Sequence, residues 1–335
     1  MKRILLISNY KQGMGGIHAQ VEMLHSHLNQ EEGIAAYIFS TKGNTLIRVW
    51  KFLCLMCIVV NYDILHIHAC SYRGMLPAVL GIIAGKLHRK KIIITYHGGE
   101  ANQFFAKHTK FVRRWLGKAD KVIVLSGFLK EIFNRYNIQS VIIPNIIELH
   151  PIVKQESINY VAPRFISIRH LESLYNIPCI LKAYKKVLEQ YPNASLDILG
   201  QGSLRDQLIK YVQNNNLTGV RFLGQVPNSE IYNYLKKATI ILSAPKADNM
   251  PVSLLEAMNA GLLVISSKVG GVPYMIAHQQ TGLLFESGNV EQMAEQMIWA
   301  LEHPKEVNDI IIRAQQDVQK YSWENIKKQL LEVYE

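Results

Sequence analysis

The sequence predicts an α/β protein built from two doubly wound, Rossmann-like domains, and three observations carry that prediction. The apolar run Lys2–Asn9 leads into the glycines of Gly13-Met14-Gly15-Gly16 and then into a helical pattern from Ile17 to Leu28. Strand, glycine loop and helix in that order open a doubly wound domain. Further β-branched runs, apolar on both faces, recur along the chain as a buried parallel sheet requires. The same alternation then starts afresh after Pro144 and a polar stretch from His150 to Pro163. With 335 residues there is room for two cores of ordinary size.

Taken in order, strands are expected at Ala35–Phe39, Ile64–His68, Ile92–Tyr96, Lys121–Leu125 and Val141–Ile143, with helices between. The second series begins at Arg164–Ile168 and continues through Ser195–Leu199, Val220–Leu223, Ile240–Ser243, Leu263–Ser266 and Leu283–Phe285. Its helices include Cys179–Tyr191 and Ser203–Asn214. The chain ends in an amphipathic helix from Ser322, placed as N-cap, to Glu335. The expected domains are residues 1–150 and 151–320, with 321–335 returning to the first.

Hydrophobic residues at 49% and charged residues at 19% describe a globular chain without a low-complexity tract. Met1-Lys2-Arg3 runs into a short strand, not into the long apolar core of a secretory leader. Cys54, Cys57, Cys70 and Cys179 sit in apolar sequence and read as core thiols, so a cytoplasmic protein is expected. The net charge of +11 is uneven: residues 1–150 hold 19 Lys and Arg against 8 Asp and Glu, while residues 151–335 hold 18 of each. The first half is therefore the one suited to an anionic partner.

The most informative segment is Ala247–Gly261. It sets Asp248 in a loop and Glu256 eight residues later in a helix. Pro251 cannot donate an N–H and is expected as the first helical residue, after the loop residues Asn249 and Met250. Backbone N–H groups at that helix start would meet an anion, and the two carboxylates would accept from hydroxyls. Asp248 and Asn249 capping an ordinary helix is the simpler alternative.

This segment resembles the acidic-x7-acidic signature of the retaining family 4 glycosyltransferases, in which the second acid holds the ribose of the donor. The resemblance runs from Lys2 to Glu335 and is strongest over residues 239–285. It implies the GT-B fold, two Rossmann-like domains facing a central cleft. Here the first acid is Asp followed by Asn-Met-Pro, where the family usually has Glu followed by a Gly-Phe-Gly-like loop. The resemblance implies catalytic roles for Arg169, Asp248, Glu256 and His97. It implies donor contacts at Gly15, Gly16, Gly202, Val226, Asn249, Met250, Pro251 and Glu256.

The residues support several of these roles in their own terms. Glycines after a strand let backbone approach a diphosphate, although a glycine turn alone is weak evidence, and this one is not a dinucleotide G-x-G-x-x-G. His97-Gly98-Gly99-Glu100 ends a buried strand at the carboxyl edge, where α/β ligands bind, and Glu100 is a candidate for the acceptor. Arg169 ends the first strand of the second series and could clamp a diphosphate bidentately. The family lysine five residues later is Leu174 here. Backbone N–H groups of Val269–Val272, or Lys268 or Lys246, would then assist Arg169. Ser126 and Asn145 read as structural caps.

Away from this constellation, Gln103–Lys118 reads as one helix with Phe104, His108, Phe111 and Trp115 on one face and Lys107, Lys110, Arg114 and Lys118 on another. With His88-Arg89-Lys90-Lys91 it suits an anionic membrane surface, and no nucleic-acid motif accompanies the charge. Leu53–Val60 is too short to span a bilayer. The expected activity is transfer of a sugar from a nucleotide-diphosphate sugar to a saccharide, lipid-linked, in cell-envelope polysaccharide synthesis, by a protein peripheral on the inner face of the plasma membrane. Neither cofactor nor metal is expected. A sugar-nucleotide epimerase of the same fold and an inactive sugar-nucleotide-binding partner are the alternatives.

Overall fold

The computed structural model describes residues 1–10, 15–151 and 162–335. Gly13 and Met14 of the glycine loop, and most of the stretch from His150 to Pro163, lie outside the described residues. The chain forms two compact units, Met1–Ile147 with Tyr321–Glu335, and Glu148–Lys320.

In the first unit, β1 (Lys2–Ser8), β2 (Ile34–Ser40), β3 (Ile64–Ala69), β4 (Lys91–Tyr96), β5 (Lys121–Val124) and β6 (Val141–Ile142) form one parallel sheet in the order β2-β1-β3-β4-β5-β6. Because β2 lies on the other side of β1 from the later strands, helix α1 (Gly16–Leu28) belongs to one face. The helices α2 (Thr45–Ile58), α3 (Leu76–Leu87), α4 (Ala101–Lys107), α5 (Thr109–Leu116) and α6 (Gly127–Arg135) take the other. Leu55, Ala78, Ile82, Phe105, Val112 and Phe133 of that layer share one buried core with Leu5, Leu65 and Ile94 of the strands. Burial on both faces is what makes β1, β3 and β4 read as continuous apolar runs.

The second unit holds β7 (Arg164–Ile168), α7 (Ile177–Leu188), β8 (Ser195–Leu199), α8 (Arg205–Asn214), β9 (Val220–Gly224), α9 (Asn228–Leu235) and β10 (Ile240–Ser243). It continues through α10 (Val252–Asn259), β11 (Leu263–Ser267), β12 (Leu283–Phe285), α11 (Val290–Glu302) and α12 (Pro304–Asp317). Its parallel sheet runs β12-β11-β10-β7-β8-β9, the strand order of a dinucleotide-binding Rossmann fold. The order reverses between β7 and β10, so the loops after these two strands flank the crevice where such sheets bind ligands.

The last helix, α13 (Trp323–Tyr334), packs in the first unit. Trp323 stacks on His27 and donates its indole N–H to Glu31 at 2.8 Å, and the Tyr334 hydroxyl meets His66 Nδ1 at 2.7 Å. Ser322 occupies the N-cap, but its side chain makes no capping bond, contrary to the sequence expectation. Ser126 does cap its helix, accepting from the Leu129 N–H.

Two other expectations are corrected. Gln103–Lys118 is not one helix: it breaks at His108, whose φ of −127° leaves the helical region. The buried residues are then Phe104, Phe105, Val112 and Leu116, while Phe111 and Trp115 turn to the rim. Of the aromatics expected beside the cations, Phe104 is buried, Trp115 half-buried and Phe111 exposed, and Lys118 stands over the Trp115 ring at 5.0 Å. Cys57 is exposed and Cys54 half-buried, so neither is a core thiol; both lie on α2, whose outer side is open.

His66 and His68 on β3 and His97 after β4 form a buried row. His66 Nε2 pairs with Thr95 Oγ1 at 2.7 Å, and His68 Nδ1 with His97 Nε2 at 2.9 Å. Burial lowers His66 to about 3 and His97 to about 4, and pushes His68 well down, so all three are neutral near pH 7. In the unfolded chain they titrate near the usual ~6.5, so the unfolded state takes up protons first as the solution is acidified. Stability is accordingly expected to fall as pH drops below about 6.5, followed as melting temperature between pH 7.5 and 4.5. Tyr334→Phe, which leaves His66 Nδ1 unpaired, should cost about 1–3 kcal/mol in denaturant unfolding at pH 7.5.

Candidate active site

The second unit gathers the sequence-predicted residues at its switch point. Arg169 follows β7, and its Nε and Nη2 donate to the Ser243 hydroxyl at the end of β10, at 3.2 and 3.1 Å. Nη2 also lies 3.2 Å from Asp248 Oδ2, in an ion pair whose side chains are only 11% and 18% exposed. The Tyr175 ring packs against the guanidinium at 5.6 Å. The cluster fixes the direction of the guanidinium and leaves Nη1 as the nitrogen outside these contacts, placed to donate to an anion. Ser243 was missed in the sequence because its only signal is its place at a strand end.

Asp248 also accepts the Asn249 N–H at 2.8 Å through Oδ1. Asp248 thus organises its own loop and holds Arg169; it does not cap the helix, which starts beyond it with no side-chain cap. Asn249 and Met250 are buried. Pro251 is the N-cap of α10, and helix begins at Val252, one residue later than expected. The loop beneath is fixed by Gly271, where a Cβ would stand 2.2 Å from the Asn249 carbonyl oxygen. The Gly271 N–H donates to the Asp248 carbonyl at 3.2 Å, which directs it into the protein.

Glu256 lies on α10, partly buried. Burial, and secondarily the charge of Glu148, push its carboxyl up to about 7. Leu174 stands where the family has lysine, and the structure brings a lysine to it: the Lys246 N–H donates to the Leu174 carbonyl at 2.8 Å, and Nζ lies 3.5 Å from the Ser173 hydroxyl. Lys268 is exposed after β11. Gly200 (φ 135°) and Gly202 press on the chain after β7; a Cβ on Gly202 would stand 2.3 Å from the Leu171 carbonyl oxygen. Close packing accounts for that glycine independently of any ligand. Val226 sits in the turn between β9 and α9, half-buried.

In the first unit, Gly15 (φ 81°) is the N-cap of α1, and Gly16 has open space around it. His97 follows β4, held by its N–H to the Ala69 carbonyl at 2.8 Å and by His68. Gly98 leaves room for Ser71, whose hydroxyl a Cβ would approach at 2.7 Å. Glu100 precedes α4. Lys107, Lys110, Arg114 and Lys118 are exposed on α4, α5 and just beyond, so the structure places them apart from the switch-point cluster in sequence and in unit. Among the described residues no three His, Cys, Asp or Glu side chains group as metal ligands.

A pair of six-stranded parallel sheets, each wrapped by helices, is the GT-B fold of glycosyltransferases. Residues 15–150 match the model described as Glycosyltransferase Family 4 and residues 151–317 the model described as Glycosyl transferases group 1, and the chain belongs to the family 4 glycosyltransferases. It is similar to the N-acetyl-alpha-D-glucosaminyl L-malate synthase of Bacillus anthracis, 24% identical over 82% of this chain and 74% of that one. It is 29% identical to the amylovoran biosynthesis glycosyltransferase AmsK of Erwinia amylovora, over 51% of this chain and 44% of the relative. The crystal structure of Anabaena HepE in complex with UDP-glucose superposes with a TM-score of 0.79 at 16% identity, covering 100% of this chain and 99% of that one. The protein is a glycosyltransferase.

The raised carboxyl of Glu256 has a stability consequence. A carboxyl whose folded value lies above its unfolded value keeps its proton longer when folded, so stability is lost as pH rises from about 4.5 to about 7. Glu256→Gln is expected to raise the melting temperature at pH 8 relative to wild type, with the gain shrinking towards pH 4.

Proposed function

We propose that the protein transfers a sugar, with retention, from a nucleotide-diphosphate sugar to a saccharide acceptor carried on lipid, in cell-envelope polysaccharide synthesis. The observation that carries this is the Arg169 guanidinium, fixed by Ser243 and Asp248 at the switch point with Lys246 tied to Leu174 beside it. The similarity to AmsK supports the polysaccharide setting, and the UDP-glucose held by the structural neighbour supports the donor class.

In this reading the second unit takes the donor. Glu256 accepts from the ribose hydroxyls in its ionised form. Asn249, Met250 and Pro251 deliver backbone to the donor, Gly202 and Val226 border the nucleotide, and Asp248 stands towards the sugar while it holds Arg169. Arg169 and Lys246 stabilise the negative charge that grows on the departing diphosphate. The acceptor hydroxyl attacks on the face that the diphosphate leaves, and the diphosphate takes its proton. No protein nucleophile is needed; the chain supplies positioning and electrostatic stabilisation. Gly15, Gly16, His97 and Glu100, at the carboxyl edge of the first sheet, are the first unit's contribution to the substrates. His97 acts as a neutral imidazole, held in place by His68. The protein works at the inner face of the plasma membrane.

Arg169→Ala should lower turnover by about 100-fold or more, the effect of deleting a preorganised charge-assisted donor in a shielded site. Lys246→Ala should lower it less but measurably, while Lys268→Ala stays near wild type. Initial rates with a UDP-sugar and a saccharide acceptor measure all three, and product formed without acceptor would point to epimerisation instead. Since the reading uses no metal, EDTA is expected to leave the initial rate unchanged; a loss restored by Mg2+ would overturn that part of it.

A further inference from the structure

Helix α2 is apolar on both sides. Its inner side, with Leu55 and Val59 buried and Met56 and Ile58 packed against them, joins the core of the first unit. Its outer side exposes Leu46 (81%), Val49 (57%), Trp50 (66%) and Leu53 (58%), and Val60 (52%) follows just past its end. The spacing of three and four residues puts Leu46, Val49, Trp50, Leu53 and Cys57 on one stripe. A helix apolar all round belongs in an interior, and this one has only half of an interior around it.

The stripe continues into neighbouring structure. Helix α3 packs beside α2 and exposes Ile83 and Leu87. Lys90, just beyond α3, donates from Nζ to the Val60 carbonyl at 2.9 Å, fastening the basic turn His88–Lys91 to the end of the apolar stripe. Over residues 33–99 the chain carries eight cations, at 42, 48, 51, 73, 86, 89, 90 and 91, against the single acid Asp63. Asp63 is engaged by the Arg3 N–H at 2.7 Å.

We propose that the outer face of α2, flanked by the basic turn after α3, inserts into the surface of an anionic lipid bilayer. Large apolar side chains with a tryptophan, rimmed by cations of one sign, match the boundary between acyl chains and anionic headgroups. A protein interface is less suited, because lysine is depleted from such surfaces. At 14 residues α2 is about 21 Å long, short of the ~30 Å hydrocarbon layer, so it lies in the plane of the membrane. No helix among the described residues is long and apolar enough to cross. The cations expected at the membrane, Lys107, Lys110, Arg114 and Lys118, are exposed as well, and α2 offers the larger apolar face. Only its purpose, access to a lipid-linked acceptor, rests on the function proposed above.

The test uses the full chain with vesicles of phosphatidylcholine alone or mixed with phosphatidylglycerol, the latter with and without brominated acyl chains. Sedimentation with the anionic vesicles, weakening as salt rises, and bromine quenching that disappears in Trp50→Phe are the expected results. Leu53→Asp should reduce the apparent affinity about tenfold or more, the equivalent of withdrawing one buried leucine side chain. Arg89→Glu should reduce it on anionic vesicles only. Binding that persists in Leu53→Asp with Trp50 unquenched would overturn the proposal in favour of another surface. A wild-type dimer dissolved by Leu53→Asp would overturn it in favour of a second copy on this face. UDP binding by calorimetry, and transfer to a water-soluble saccharide, should survive Leu53→Asp; their absence in wild type would count against the proposed activity and leave the membrane surface standing.

Discussion

A parallel sheet buried on both faces delivers every strand-to-helix loop to one edge, and the chemistry of this protein depends on that constraint. In the second sheet the reversal of strand order between β7 and β10 parts two of these loops. Arg169 leaves one and Asp248 lies in the other, 74 residues from Ser243 to Arg169 in sequence yet within hydrogen-bond reach. The tight packing of Gly202 on Leu171 and of Gly271 on Asn249 holds the two loops at that separation. Without the rigid edge, a guanidinium on a flexible stem would spend its time in water.

The electrostatics at the two sheet edges differ in kind. In the second unit a guanidinium meets a carboxylate, while Glu256 nearby carries a carboxyl that burial pushes towards neutrality. That carboxyl is poorly solvated, which the surrounding core sustains. In the first unit the histidines are neutral and linked through His68, so the group at the end of β4 is an oriented dipole rather than a charge. The same row reaches Tyr334 through His66, which ties the last helix to the middle of the first sheet.

Charge is divided as sharply as chemistry. The whole +11 excess belongs to residues 1–150. Eight of these cations, from Lys42 to Lys91, lie in the stretch of chain that also carries the exposed apolar face of α2. Cations alone give weak, salt-sensitive attachment, and an apolar stripe alone invites aggregation. The combination is what a bilayer surface accommodates, and it leaves the near-neutral second half free of that duty.

The fold was legible because its signal is local and repeated: β-branched runs apolar on both faces, each followed by a helix, cannot be satisfied except in buried parallel sheets. Arg169 was legible as a candidate from its place at a strand end, and Asp248 and Glu256 from their spacing across a loop and helix that Pro251 marks. Other features were not. Periodicity over Gln103–Lys118 permits one continuous helix, whereas in the structure the backbone leaves the helical region at His108. An apolar helix such as α2 looks like core in sequence, because composition cannot tell which side lacks a neighbour. Nor does any sequence pattern tie Lys246 to Leu174, or Ser243 to Arg169: those contacts join segments dozens of residues apart, and they exist only once the strands β7 and β10 lie side by side.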